Sequence, residues 1–473
     1  MQTTAIRASL AAAAFAAALT GCALRSPQTT SELQSEALPH TAVPATWQAG
    51  GTVATPMVEP WLASFEDPAL SALVDEALLY NADLQVAAAR VEQAAGYVKV
   101  AGGALRPSVG VFAMNGGKSG GSGGLEGVWL NASLELDIWG RLRYARAATQ
   151  EQSAAMAADY AYARQSIAAN VAKGWFVAIE AGLQRALAHD ALHSAQELMR
   201  VAQERLRVGN GNEQAVAEAR VSVGTYQDQV RQTELAREQA LRALELMLGR
   251  YPSAELDVAE QLPPVPPPVP VGMPSQLLER RPDVLAAERR VAAAFDRVGE
   301  ARAAQLPTIS LTAGGSHVSS ELLQLKDTSN PIWSFGAKLI APLYAGGALR
   351  AQVEIRSAEQ KQAVAEYARA GQRAFGEVEN ALAAETTLRD RETILAATVR
   401  DSQRALELVR IQYRVGSVDL RTVERSQLAL YSARIALLGV RSEQLAQRVN
   451  LYLALGGGFV EGAESDLQVL PAG

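Results

Sequence analysis

The chain has 473 residues, with 44 Lys+Arg against 50 Asp+Glu and a formal net charge of −6, a mild acidity that argues against a nucleic-acid partner, which would want a clustered basic surface. One cysteine and four histidines exclude an intrachain disulfide framework and any multi-cysteine zinc or iron–sulfur site. A hydrophobic content of 48% with only 5% aromatic and 20% charged residues describes an ordered, Ala/Leu/Val-rich protein.

Residues 1–21 read as a signal peptide. Arg7 supplies the positive charge, and the alanine-rich run from Leu10 to Leu19 is too short to span a bilayer. The run ends in Leu19-Thr20-Gly21-Cys22, which resembles the lipobox of bacterial lipoproteins. The resemblance implies cleavage before Cys22 and a covalent lipid on its thiol, and no other cofactor is expected. Ala23, where Asp would retain the protein, implies delivery to the outer membrane. The alternative is an ordinary secretory signal with an accidental cysteine. No later segment reaches ~20 uninterrupted apolar residues, so a crossing would have to be a closed β-barrel.

The chain repeats itself. Arg207-Val208-Gly209 returns as Arg414-Val415-Gly416, Leu248-Gly249 as Leu455-Gly456, and Leu142-Arg143 as Leu349-Arg350, each at an offset of 207. Asp83 and Pro107 match Asp283 and Pro307 at an offset of 200, so a loop between Pro107 and Arg143 absorbs the difference. One unit is therefore used twice, over 66–249 and 275–456. An extended segment, 22–65, precedes the first unit. A linker, 250–274, joins the two, and its last 13 residues, 262–274, hold seven prolines and favour polyproline II. A tail, 457–473, follows.

Within each unit the order is helix, two strands, long helix, turn, long helix. Asp67-Pro68 opens the first helical run, and residues 82–101 continue it up to Pro107. Period-two alternation marks strands at about 107–115, 127–137, 307–317 and 331–341. Val128, Leu130, Ala132, Leu134 and Leu136 oppose Trp129, Asn131, Ser133, Glu135 and Asp137. Trp333, Phe335, Ala337 and Leu339 oppose Ser334, Gly336 and Lys338. Apolar-out, polar-in strands of this length are the transmembrane-barrel pattern, although two ordinary hairpins on a core would read the same way. The loop Asn115–Gly127 contains a chance G-x-S-x-G match, but it lacks the strand–turn–helix setting that a nucleophile requires.

Long helices are expected at about 140–206, 213–248, 347–413 and 419–455. The longest are on the order of 100 Å at ~1.5 Å per residue. Leu192, Ala195, Met199, Ala202 and Leu206 recur as Val399, Ser402, Leu406, Val409 and Tyr413, a 3.5-residue seam for coiling around partners. Four strands cannot close a barrel in lipid, whereas three copies would supply twelve strands and twelve helices.

Leu134–Arg143 (LELDIWGRLR), Leu277–Val284 (LLERRPDV), Pro342–Gln352 (PLYAGGALRAQ) and Tyr413–Gly416, together with the repeat, resemble the outer membrane factors, the TolC-like channel family, in its lipoprotein branch. The resemblance covers about residues 60–456. It implies a mainly α fold with a small β part, trimerising into a 12-strand outer-membrane β-barrel continuous with a 12-helix periplasmic α-barrel. It also implies a periplasmic adaptor, an inner-membrane pump of RND type, and a non-enzymatic role as an efflux channel. Adaptor docking would then fall on Arg207, Val208, Gly209, Arg414, Val415 and Gly416, where Gly209 and Gly416 also serve as αL caps.

The family closes its periplasmic end with inward side chains, often an aspartate ring, on the helix after the second tip. The matching stretch carries Asp419, Arg421, Glu424 and Arg425, with Arg425 at the usual acidic position. Inter-subunit ion pairs of Arg421, Glu424 and Arg425 are expected in place of that ring. Glu135, Asp137 and Lys338 would face the barrel lumen, with Lys338 pairing to one of the carboxylates. His189 and His193 stand four apart on a helix but have no evident third ligand. A type I protein-secretion conduit and a periplasmic coiled-coil scaffold lipoprotein are the competing readings.

Overall fold

A computed structural model describes residues 26–50, 61–115, 126–319 and 332–457. Cys22, the signal peptide, most of the Gly-rich loop and most of the C-terminal tail lie outside the described residues.

The elements run α1 (Thr30–Ala37), a 3₁₀ turn (Trp61–Phe65), α2 (Pro68–Tyr80), α3 (Ala82–Gly103), β1 (Ser108–Asn115), β2 (Glu126–Leu136), α4 (Arg141–Arg207) and α5 (Glu213–Met247). A second 3₁₀ turn (Pro274–Glu279) then leads into α6 (Pro282–Ala303), β3 (Thr308–Ser319), β4 (Ile332–Ile340), α7 (Ala348–Arg414) and α8 (Leu420–Ala454). The segment before residue 66, read from sequence as extended, contains α1 and the first 3₁₀ turn. The cause of α1 is local. Thr29 accepts a hydrogen bond from the Glu32 amide while the Glu32 carboxylate accepts from the Thr29 amide, a reciprocal capping box.

The repeat holds down to individual hydrogen bonds. At the first tip the Val208, Gly209 and Asn210 amides donate to the Glu204, Leu206 and Arg205 carbonyls. At the second, Val415, Gly416 and Ser417 donate to Ile411, Tyr413 and Gln412 at the same offset of 207. Both are Schellman-type ends, and Gly209 and Gly416 sit at φ +77° and +85°. The returning helices start on matched caps. The Asn212 side chain accepts from the Ala215 amide and the Asp419 side chain from the Thr422 amide.

Contacts divide the chain into two compact units, each drawing on both repeats. One comprises 1–41, 89–159 and 283–370; the other comprises 42–88, 160–282 and 371–473. The first holds the sheet, ordered β1-β2-β3-β4 with every pair antiparallel. Its register aligns Val109, Ala132, Ala313 and Phe335 in one row and Leu134, Leu311 and Ala337 in another. On the opposite face Ser108, Ser133, Thr312 and Gly336 form one row and Glu135, Ser310 and Lys338 another. The sheet thus has an apolar face and a largely polar one. Phe112 and Trp129 interrupt the polar face as a tilted pair 5.7 Å apart.

The first unit also buries Asp296 on α6, 4% exposed. Burial, with the Glu151 carboxylate adding repulsion, pushes its carboxyl up to about 6. A carboxyl whose pKa is raised by folding binds its proton more tightly in the folded state. The stability it contributes is full below about pH 4, declines through about pH 6, and is flat above. Asp296→Asn is therefore expected to stabilise the protein by about 2–3 kcal/mol at pH 7.5, with the difference closing toward pH 4. Thermal unfolding of both forms across that range checks it.

The second unit is built on aromatic packing. Trp61 stacks on Tyr452 at 5.5 Å, Phe65 meets Phe176 at 5.3 Å, and the Trp175 Nε1–H donates to Asp67 Oδ2 at 2.8 Å. The same Asp67 caps α2 through its other oxygen. Toward the tips, Ala202, Val216, Ala219, Leu406, Tyr413, Leu420, Val423 and Leu430 form a core, with Met199, Val399 and Val409 against it. The 3.5-residue seams of α4 and α7 thus meet the start of α5 and α8, as expected for coiled packing.

Candidate functional site

The candidate functional residues fall in two separate places: the sheet and the start of α4 in the first unit, and the two hairpin tips in the second.

On the sheet, Val109 and Val111 are 69% and 70% exposed, Trp333 65% and Phe335 84%. Large apolar side chains crowded on one exposed face mark a surface made for an apolar medium. β1 and β4 each pair on one side only among the described residues, so the sheet ends in two open edges.

At the junction, Glu135 and Asp137 are both held by arginines of α4. Arg141 donates Nη2 to Glu135 Oε2 at 2.8 Å, and Arg143 donates Nε to Asp137 Oδ2 at 3.1 Å. Asp137 lies one residue beyond β2. It accepts the Leu142 and Arg143 amides at 2.9 Å each, which makes it the cap of α4 rather than a wall residue. Glu135 and Lys338 share a face two strands apart, but the Glu135 carboxylate is engaged by Arg141. The expected pairing of Lys338 with one of these carboxylates is therefore replaced by arginine pairs.

At the tips, Val208 and Val415 are exposed, 54% and 75%. Beyond either tip glycine a Cβ would meet open space, so only the positive φ demands glycine there. Arg205, which the sequence reading passed over, joins the two tips. Its guanidinium lies 4.3 Å over the Tyr413 ring and Nη2 donates to the Tyr413 and Arg414 carbonyls.

Just above, Arg421 finds its partner inside the chain. Its Nε donates to Glu218 Oε1 at 2.8 Å, linking α5 to α8. The hydrogen bond from Arg421 holds the Glu218 carboxyl below its ordinary range, and the Thr422 hydroxyl does the same for Asp419. Burial pushes Glu424 up and Glu218 adds repulsion; its Oε1 is buried with no hydrogen-bond partner. Arg425 is exposed. The cluster is therefore Arg421, Glu218 and Glu424. Glu218 had no signal in sequence because its partner lies 203 residues away.

His189 Nε2 stands 3.7 Å from Glu234 Oε1, and no metal-holding group of three His, Cys, Asp or Glu occurs among the described residues. No described helix is long and apolar enough to cross a membrane.

A family model described as outer membrane efflux protein matches residues 73–250 and 273–457, one match on each repeat. The chain belongs to the outer membrane efflux protein family. The cation efflux system protein CusC of Escherichia coli is 32% identical over 413 residues, 84% of this chain and 88% of that one. The pyoverdine export outer membrane protein OpmQ of Pseudomonas aeruginosa is 31% identical over 451 residues, 91% and 93% of the two chains. The solved structure of the outer-membrane channel OprN superposes with a TM-score of 0.80 at 26% identity, covering 92% of this chain and 99% of that one. Membership makes this chain an outer-membrane channel component of a tripartite efflux system.

Proposed function

We propose that three copies close into one conduit, a twelve-strand barrel in the outer membrane over a twelve-helix barrel in the periplasm, anchored additionally by a lipid on Cys22. The observation that carries this reading is the sheet. It has four strands, open edges at β1 and β4, and an exposed apolar face, and only joining other sheets edge to edge would satisfy it. The channel gives pump substrates passive passage outward. A periplasmic adaptor, itself carrying an inner-membrane pump of RND type, docks on Arg207–Gly209 and Arg414–Gly416.

Relatives of similar identity are named for cation, pyoverdine and antibiotic efflux, so the pump and not the conduit selects the cargo. The test is accumulation of dyes, antibiotics, organic solvents and metal ions in a deletion strain against its parent. A class retained only in the deletion is expected, and its loss on complementation names the cargo. Equal accumulation of every class would overturn the efflux role.

The Arg421–Glu218 pair is the latch of the periplasmic aperture in this reading, holding α8 against α5 until the adaptor binds. Exposed pairs are individually weak, which suits a latch that must open. An Arg421→Ser, Arg425→Ser double variant is expected to raise single-channel conductance several-fold, and Glu218→Gln to reproduce most of the rise. Wild-type conductance in both would remove the latch.

A further inference from the structure

The polar face of the sheet carries one aromatic interruption. Phe112 on β1 and Trp129 on β2 are partners in the register, with ring centroids 5.7 Å apart and planes tilted by 45°. Phe112 is 58% exposed and Trp129 is half-buried. The adjacent row on this face is Gly110, Asn131, Gly314 and Ser334, so only small side chains stand beside the rings. Two large rings left this open on a polar face call for a reason.

The internal repeat shows that the hairpin does not require them. The offset of 200 that relates β1 to β3 carries Phe112 to Thr312, and the offset of 207 that relates β2 to β4 carries Trp129 to Gly336. Thr312 and Gly336 are themselves register partners, and the Thr312 hydroxyl donates to the Gly336 carbonyl at 3.3 Å. The second hairpin thus pairs at the same place on one hydroxyl and no second side chain. The aromatic pair belongs to the first repeat alone and is not part of what makes the strands pair.

We propose that Phe112 and Trp129 form a stacking platform on the conduit wall, which transiently holds planar aromatic groups of the cargo. The inference rests on the three-copy conduit proposed above, with the polar face turned to the lumen. Positions related by the repeat then stand at one level of the ring, so three aromatic pairs alternate with three Thr312–Gly336 pairs. Twelve strands ~4.8 Å apart and tilted by ~40° enclose about 24 Å between backbones, so rings on half of that wall leave the bore open. A gate that works by dewetting needs an apolar constriction on every side, and the Thr312–Gly336 pairs interrupt this one. Separate ring faces on the wall of an open bore suit stacking instead, which any flat π-system satisfies and a positive charge on it strengthens. Cargo choice stays with the pump, and the platform sets how long flat molecules dwell.

The test is current block of the purified full-length protein in planar bilayers. Ethidium is the planar aromatic cation, and spermidine is a cation without a ring. One variant, Phe112→Thr with Trp129→Gly, copies the pair of the second repeat; another, Phe112→Leu with Trp129→Leu, keeps apolar bulk without rings. Both are expected to raise the half-blocking concentration of ethidium about ten-fold or more and to leave that of spermidine unchanged. Unchanged ethidium block in either variant, or an equal shift for spermidine, overturns the platform. A separate Asn131→Cys variant tests the conduit itself, because a charged thiol reagent should lower its current and leave the wild type unaffected. A response at Asn131→Cys with unchanged ethidium block overturns the platform alone. No response there overturns the lumen assignment of this face, and the platform with it.

Discussion

Phe335→Arg is expected to abolish trimer bands in outer-membrane fractions, and Thr312→Arg to leave them at wild-type intensity. Both residues sit near mid-strand and receive the same charge on opposite faces, Phe335 on the edge strand β4 and Thr312 on the inner strand β3. Phe335 is 84% exposed in the row of Val109, Ala132 and Ala313. An arginine on a lipid-facing position near the bilayer midplane costs about 2–4 kcal/mol, and a closed trimer would incur it three times. Thr312 lies in the row of Ser108, Ser133 and Gly336, where an arginine would meet water. Heat-modifiable bands on a gel read the outcome. Wild-type bands from Phe335→Arg would mean that its face does not meet lipid.

The second large effect is internal. Arg281 is fully buried, pairs with Glu377 at 2.6 Å and donates Nη1 to the Ala454 carbonyl at the end of α8 at 3.0 Å. It therefore ties the entry of α6 to the close of the second hairpin. Removing one member of a buried ion pair costs about 3–5 kcal/mol, because the remaining groups lose their partner in a medium that cannot replace it. Glu377 is 40% exposed and can rehydrate, so Arg281→Ala should fall near the lower end of that range. Both contacts are made by Nη1, so Arg281→Lys, whose ammonium carries several donors, should recover part of the loss. Thermal unfolding of the purified protein reads both.

Much of the architecture is legible in the residues because it is periodic. Period-two alternation located the four strands to within about two residues at their ends, and the 3.5-residue seams reappear in the core that joins α4 and α7 to α5 and α8. The 207-residue offset reaches the individual cap hydrogen bonds of both tips. What escaped is non-periodic. The helix α1 carries its own start signal in Thr29 and Glu32, but it is short and isolated in a segment otherwise without pattern. Asp137 continues the alternation of β2 by one step, and only the geometry of the α4 amides shows that the strand has already ended. Arg205 and Glu218 act across about 200 residues of chain, on Tyr413 and Arg421, and no local rule connects them.

The two open edges of the sheet have a genetic consequence. In the proposed ring of three, each subunit would contribute one β1 edge and one β4 edge, and closure would need all six to be sound. A copy with one spoiled edge still joins a neighbour through the other, and the ring it enters never shuts. Co-expressed with the normal gene, such an allele is expected to remove far more channel than its own share of the chains. A truncated allele lacking the sheet altogether would have no edge with which to interfere, and is expected to be recessive.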